Sequence, residues 1–158
     1  MMPEYRKVLC AVEVGEHGEP VVAHAAGLAL RYGAALTVLH VVEAASGFAE
    51  ALVEEHIPHE TRRRIWEEGL ARIRGELEAM AARVVARDLG GRSPAPLAAR
   101  VAEGRPAAVI LALAEETGAD LIVLGSHGRS TLGEVLVGST AHRVSQRARV
   151  PVLLVPLR

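Results

Sequence analysis

The chain has 158 residues, half of them apolar, and its 18 basic and 19 acidic side chains leave a net charge of −1. This length predicts one compact domain over residues 1–158, whose core needs no disulfide or structural metal. With one Trp, two Tyr and one Phe and no basic excess, the chain is a poor candidate for binding nucleic acid by base stacking or by charge. Apolar runs far shorter than about 18 residues and the lack of a leader-like start predict a cytoplasmic protein without a membrane span.

Short apolar runs alternate with helical patterns along the chain. Strands are predicted at residues 6–13, 35–42, 97–103 and 120–124, and in a last run from Val150 to Val155. Helices are predicted at 20–33, 46–87 and 106–118 and from Ser139 onward, two of them beginning at proline and ending at glycine. The alternation predicts an α/β fold of five parallel strands and four helices with right-handed crossovers, and the half-polar strand 97–103 suits a sheet edge.

The segment 46–87 mixes Arg and Glu with apolar residues at helical spacing, which predicts one amphipathic helix. Its apolar stripe comprises Trp66, Leu70, Ile73, Leu77 and Met80. Within the same segment, His56 and His59 are the best candidates for a metal pair. Pro58 interrupts helical geometry between them and no further ligand pair completes a tetrahedral set, so no metal site is predicted.

The most informative stretch is the glycine-rich connection after the fourth predicted strand, which runs from Gly125 to Ser139. It is longer than most strand-to-helix links, which favours a functional loop. Glycines such as Gly125 and Gly128 permit positive φ and let the backbone approach a ligand. Ser139 and the following Thr140 are typical of a helix start, with Ser139 as the N-cap, and a helix start favours an anion such as phosphate. A purely structural glycine loop remains the alternative.

Several nucleotide and catalytic motifs are absent. The chain has no Walker A loop, no G-x-G-x-x-G after its first strand and no G-x-S-x-G elbow. His127 inside the glycine loop is either a general base or, as we favour, a loop-surface residue, because no acid is evident to orient it. No catalytic residue is therefore assigned, and a dedicated enzyme is not predicted.

The glycines of this connection resemble those of the universal stress protein family, whose nucleotide-binding form carries G-x2-G-x9-G-[S/T] after the fourth strand. Gly125, Gly128, Gly138 and Ser139 fill the pattern without a gap, preceded by DLIVLGSHG and followed by the family-like ending PVLLVP. The resemblance covers practically the whole chain. It implies a three-layer, adenine nucleotide alpha hydrolase-like fold with strand order 3-2-1-4-5.

The resemblance also implies an adenine nucleotide, ATP or AMP, at the carboxyl ends of strands one and four. Mg²⁺ is expected to accompany the phosphates of ATP, and at most slow hydrolysis is expected because no residue is evident as a base. By this match, the phosphates would bind Gly125, Gly128, Gly138 and Ser139. Arg129 and Ser130 are supplementary phosphate donors, and Thr140 belongs to the neighbouring helix start. Val41, at the end of strand two, matches the adenine contact. The resemblance further implies a twofold homodimer through the last strand.

One residue departs from the family pattern. Glu13 stands where the family usually has an aspartate near the ribose, so the acceptor is kept but the side chain is one methylene longer. Glu13 therefore either meets a ribose hydroxyl or is a solvated acid at a strand end. Two functions follow: a stress-response regulator that binds an adenine nucleotide, or a nucleotide-free dimeric interaction module of the same fold.

Overall fold

The computed structural model describes residues 2–44, 47–127 and 137–157. Its strands are β1 (Lys7–Ala11), β2 (Ala35–Val42), β3 (Leu97–Glu103), β4 (Leu121–Gly125) and β5 (Val152–Val155). Its helices are α1 (Glu19–Tyr32), α2 (Gly47–His56), α3 (His59–Asp88), α4 (Pro106–Thr117) and α5 (Ser139–Arg147). All pairings are parallel and the strand order is β3-β2-β1-β4-β5. The predicted α/β class and strand order are confirmed.

The sheet is covered on both faces, which explains why its central strands are continuous apolar runs. Helices α1 and α3 pack on one face and α4 and α5 on the other. The first core layer includes Val8, Val38, Leu77, Met80 and Val123. The second includes Leu9, Leu39, Ile110, Ile122 and Val144. Successive residues of a strand face opposite layers, so each central strand contributes side chains to both.

Proline and glycine set the limits of two helices as the sequence predicts. Helix α1 has Pro20 in its first turn and ends at Gly33, whose φ of 65° is left-handed. Helix α4 begins at Pro106 and ends at Gly118, with φ of 66°. In the left-handed conformation each glycine turns the chain back toward the next strand and lets the amides at the helix end bond the last carbonyls.

The single helix predicted over 46–87 is wrong in one respect: the structure has two helices there, so the described residues hold five helices rather than four. Helix α2 ends at His56, and α3 begins after Pro58. Proline has no amide to donate to the preceding turn and its ring clashes with the carbonyl four residues earlier, which breaks the helix. Ser46 itself lies outside the described residues.

The predicted apolar stripe of α3 is buried at one end only. Leu77 and Met80 are 0% exposed, whereas Trp66 is 41% exposed. A helix of 30 residues spans about 45 Å, against about 23 Å for the seven residues of β3. Val85 and Ala86 line a groove with Leu97 at the start of β3, and Nε1 of Trp66 donates to Glu103 at the end of β3, so it is the first turns of α3 that extend past the strand. The stripe therefore covers core only where strands lie beneath it.

Candidate functional site

At the carboxyl end of the sheet, a crevice lies between the connections that leave β1 and β4. The strand order runs from β1 to β2 and β3 on one side and to β4 and β5 on the other, so the connections leaving β1 and β4 diverge. Ala11 is in register with Leu124, which places Glu13 and Ser126 at equivalent positions, two residues beyond that pair. In open α/β sheets a crevice at such a point is the usual ligand site.

Val41 presents its backbone to this crevice. Val12 donates to the carbonyl of Leu39 at 2.9 Å, the last β1–β2 bond along the strands. Because a parallel ladder uses alternate residues, the next groups of β2 to face β1 are the N–H and C=O of Val41. Among the described residues neither group has a backbone partner. A donor and an acceptor that lie side by side, without a backbone partner in the described part of the chain, match the hydrogen-bonding edge of a nucleobase.

His40 fixes the end of β1 and was not identified from the sequence as part of the site. Its Nδ1 lies 2.9 Å from the carbonyl oxygen of Val12, so Nδ1 carries the proton and donates it. The bond ties the chain immediately before Glu13 to β2. The signal available in the sequence was a histidine within a largely apolar strand.

Ser126 links β4 to the start of α5. Its amide donates to the carbonyl of Val155 at 2.9 Å, and its carbonyl accepts from the amide of Gly138 at 2.7 Å. Its hydroxyl lies 2.7 Å from Nδ1 of His127. The chain beyond β4 and the amino end of α5 are therefore held side by side at the crevice. Sequence reasoning assigned Ser126 no role, although it lies between Gly125 and His127.

The helix start at α5 differs by one residue from the prediction. Gly138, with φ of −58° and ψ of 154°, is the N-cap, and Ser139 is the first helical residue. The amide of His142 donates to the carbonyl of Gly138 at 2.9 Å, which is the first bond of the helix. The amides of Ser139, Thr140 and Ala141 consequently have no partner inside the helix and carry the positive end of its dipole.

Gly125 does not use the positive φ that glycine permits. Gly125 is the last residue of β4, and it is not among the described glycines with positive φ. A Cβ at this position would lie 2.8 Å from Cδ1 of Leu157 and 3.4 Å from Cγ2 of Val21. Glycine here leaves room for the side chain of Leu157 at the strand end, and the backbone needs no unusual dihedral angles.

The turn after β1 places Glu13 at the crevice through two glycines. Gly15 has φ of 127°, a conformation that strongly favours glycine. A Cβ on Gly18 would overlap the carbonyl oxygen of Glu13. The amide of Gly18 donates to the carbonyl of Gly15 at 3.0 Å, which closes the turn directly before α1. The position of the Glu13 backbone therefore depends on the absence of a side chain at Gly18.

The structure brings together Glu13, Val41, Gly125, Gly138, Ser139 and Thr140 at the carboxyl end of the sheet. Three predicted phosphate contacts, Gly128, Arg129 and Ser130, lie outside the described residues. His142 is exposed in the first turn of α5. Within residues 2–44, 47–127 and 137–157, no three His, Cys, Asp or Glu side chains form a group that could hold a metal.

Comparison with known proteins identifies the family. The model of the universal stress protein family matches residues 4–156. The chain belongs to the universal stress protein family. Universal stress protein YxiE of Bacillus subtilis is 33% identical over 156 residues, which cover 96% of this chain and 99% of YxiE. Universal stress protein MJ0577 of Methanocaldococcus jannaschii is 25% identical over 168 residues, 96% of this chain and 94% of that protein.

Solved structures of universal stress proteins share the fold. MJ0577 superposes with a TM-score of 0.70 at 24% identity and 99% coverage of both chains. A universal stress protein in complex with cAMP superposes with a TM-score of 0.67 at 20% identity, covering 99% of this chain and all of the other. Among the described helices, none has both the length and the apolar character needed to cross a bilayer.

Proposed function

We propose that this universal stress protein binds an adenine nucleotide, ATP or AMP, and acts as a stress-response regulator. The observation that carries the proposal is the pairing of two complementary features at one crevice. The N–H and C=O of Val41, which have no backbone partner among the described residues, suit the edge of a base. The first amides of α5, which have no partner inside the helix, suit an anion. The cAMP complex of a related fold supports a nucleotide as the ligand.

Each predicted site residue has a role in this proposal. Val41 binds the adenine through its backbone, and Glu13 accepts a hydrogen bond from the ribose. Phosphates bind the amides that follow Gly138, with Arg129 and Ser130 as further donors and Gly128 allowing close approach of the backbone. Mg²⁺ would accompany the phosphates of ATP, since it prefers substrate phosphates and few protein ligands.

We expect at most slow hydrolysis of bound ATP. In the described part of the site, the hydroxyl of Ser126 occupies Nδ1 of His127, and no acidic side chain there orients the imidazole toward an attacking water. Fast phosphoryl transfer needs a residue that positions the nucleophile. Binding rather than turnover is therefore the proposed signal.

Native mass spectrometry and thermal unfolding with and without ATP test the proposal. The purified protein should carry an adenine nucleotide or gain stability on its addition, by about 2.7 kcal/mol at a hundredfold excess over Kd. Gly138→Leu should lose this gain and keep the fold, because a φ of −58° suits any residue while the side chain would obstruct the anion site.

Gly69→Leu is the matched control. Gly69 lies in α3, away from the strand ends that form the crevice, and a Cβ there would meet no atom of another element within 4 Å, so leucine should leave the gain unchanged. A protein that carries no nucleotide and gains no stability from ATP would favour the alternative, a nucleotide-free interaction module. Equal gains in Gly138→Leu and wild type would contradict the phosphate assignment alone.

A further inference from the structure

The hydrogen-bond ladder between β1 and β2 ends at Val12, one bond earlier than the strands allow. The amide of Val12 donates to the carbonyl of Leu39 at 2.9 Å. In a regular parallel ladder the carbonyl of Val12 would then accept from the amide of Val41. Both residues belong to the described part of the chain, and no bond joins these two groups there.

Strand β2 does not end at this point. On its other side the ladder with β3 continues as far as the bond from the amide of Gly104 to the carbonyl of Val42, at 3.0 Å. The backbone of β2 therefore keeps its strand geometry beyond Val41, whose amide faces the β1 side because a parallel ladder uses alternate residues. The missing bond consequently has its cause at the carbonyl of Val12 and not in β2.

The imidazole of His40 bonds the carbonyl that the Val41 amide would otherwise use. Its Nδ1 lies 2.9 Å from the carbonyl oxygen of Val12, in a partly buried position. A carbonyl oxygen only accepts, so Nδ1 is the donor. Because His40 directly precedes Val41, a side chain and the next backbone amide compete for one acceptor. The side chain satisfies the carbonyl of Val12, and the N–H of Val41 stays open to the crevice.

We propose that His40 is a positioning residue of the nucleotide site, whose side chain replaces the last ladder bond and so keeps the Val41 N–H for the base. The inference rests on the proposed function, since it assigns that N–H to the ligand. Adenine carries its amino group beside a ring nitrogen on both of its hydrogen-bonding edges, at N1 and at N7. The carbonyl of Val41 accepts from the amino group, and the N–H donates to the ring nitrogen. Without the imidazole, the amide of Val41 bonds Val12 and the ring nitrogen loses its donor.

Amide hydrogen exchange in the ligand-free protein tests the structural half of the proposal. In wild type the Val41 amide should exchange about tenfold or more faster than that of Leu39, which faces β1 inside the ladder. His40→Phe keeps a ring in the strand but removes the donor, and it should slow exchange at Val41. Loosening of the fold would speed exchange instead, so slowing distinguishes a positioning role from a merely structural one. His40→Asn, whose side-chain amide donates from a position close to that of Nδ1, should restore fast exchange.

Two ATP analogues, with carbon in place of N1 or of N7, test the ligand half by calorimetric titration. One of them should bind wild type about tenfold more weakly than ATP does, because the Val41 N–H then meets no acceptor. His40→Phe should bind ATP about tenfold more weakly than wild type, and should bind both analogues as it binds ATP. His24→Phe is the control. Its imidazole bonds the carbonyl of Pro20 at 2.8 Å on the exposed side of α1, so its loss should change neither readout.

The outcomes separate this inference from the proposed function. A Val41 amide that exchanges as slowly as that of Leu39 in wild type would overturn the inference, as would a folded His40→Phe in which exchange at Val41 is not slowed. Equal affinity of wild type for ATP and both analogues would overturn the assignment of that amide to the base. The expected exchange pattern in a protein that binds no ATP would reject the proposed function and leave the role of His40 at the Val41 amide standing. Circular dichroism shows whether each variant is folded, and the wild-type measurements decide if His40→Phe is not.

Discussion

Glu19 is the acidic residue most closely held by basic side chains in the described structure. Its carboxylate, 12% exposed, accepts from Arg87 at 2.7 Å and lies 3.2 Å from Arg83. The hydrogen bond from Arg87 is the main cause that lowers the pKa of Glu19 below its ordinary value, and Arg83 adds to it. Because both arginines belong to α3, the carboxylate fastens the start of α1 to the end of that helix.

The lowered pKa of Glu19 makes its contribution to stability depend on pH. The charged form is favoured in the folded state, so the contribution is complete above the unfolded pKa of about 4.3 and is lost as the pH falls through the lower folded value. Glu19→Gln should therefore lower the free energy of unfolding at neutral pH, and the difference from wild type should shrink below about pH 4. Urea unfolding at a series of pH values measures this.

Glu60→Gln is the control for that series. Glu60 pairs with Arg63 at 2.8 Å, but the glutamate side chain is 79% exposed, and such surface pairs contribute about 0–1 kcal/mol. A Glu60→Gln effect as large as that of Glu19→Gln would contradict the special role of the partly buried Glu19 carboxylate. So would a Glu19→Gln difference that persists unchanged into acid.

At the scale of elements, the sequence predicted the strands and the shorter helices well. The predicted limits of β3, Leu97 and Glu103, agree with the structure, and so do the helix ends near Gly33 and Gly118. These limits can be predicted because apolar periodicity, proline and glycine act on local structure. The break at Pro58 was not predicted, because the amphipathic pattern continues on both sides of the proline. Local pattern indicates which residues of a helix are apolar, and the length of the sheet beneath decides which of them become buried.

The site was predictable only in part, for a similar reason. Gly138, Ser139 and Val41 carry recognisable motif or strand-end positions, and the structure places them at one crevice. The bond from His40 to Val12 joins residues 28 positions apart, so no local pattern reveals it. The packing of Leu157 against Gly125 likewise arises from strand pairing, which a single strand sequence does not specify.

A pair of leucine truncations tests how burial varies between α2 and α3. Leu77 of α3 is 0% exposed, and Leu52 of α2 is 46% exposed. Leu77→Ala should reduce the free energy of unfolding by about 2–5 kcal/mol, because it removes core contacts and leaves a cavity. Leu52→Ala removes the same atoms from an exposed position and should cost less than about 1 kcal/mol. Chemical denaturation of both variants at one pH gives the comparison.

Equal losses in the two variants would show that α2 is covered by protein in solution. The described α2 has no buried residue, and helices of this length are marginal when isolated in water. Its stability in the folded chain must therefore come from its connections or from a partner. The truncation pair distinguishes these cases, because a partner that covers Leu52 would raise the cost of its removal toward that of Leu77.

At the scale of the whole molecule, the backbone groups of the edge strand β5 allow a test of the predicted twofold homodimer. Ile122 donates to the carbonyl of Pro151 at 3.0 Å, and Ser126 donates to that of Val155 at 2.9 Å, so the odd-numbered residues face β4. Val152 and Leu154 consequently direct their backbone groups outward. An antiparallel pair in which Val152 bonds Leu154 of the partner subunit would centre on Leu153.

A cysteine at the centre of this strand tests the β5 dimer. We predict that Leu153→Cys forms a disulfide with its twofold copy under mild oxidation, because opposed residues at a non-hydrogen-bonded position lie about 4.5 Å apart at Cα, within disulfide range. The native Cys10 does not interfere, since it is fully buried and burial raises the pKa of its thiol far above neutral. Arg149→Cys, an exposed residue outside β5, is the control and should stay largely monomeric on a non-reducing gel. Cross-linking of both variants to the same extent, or of neither, would reject pairing through β5.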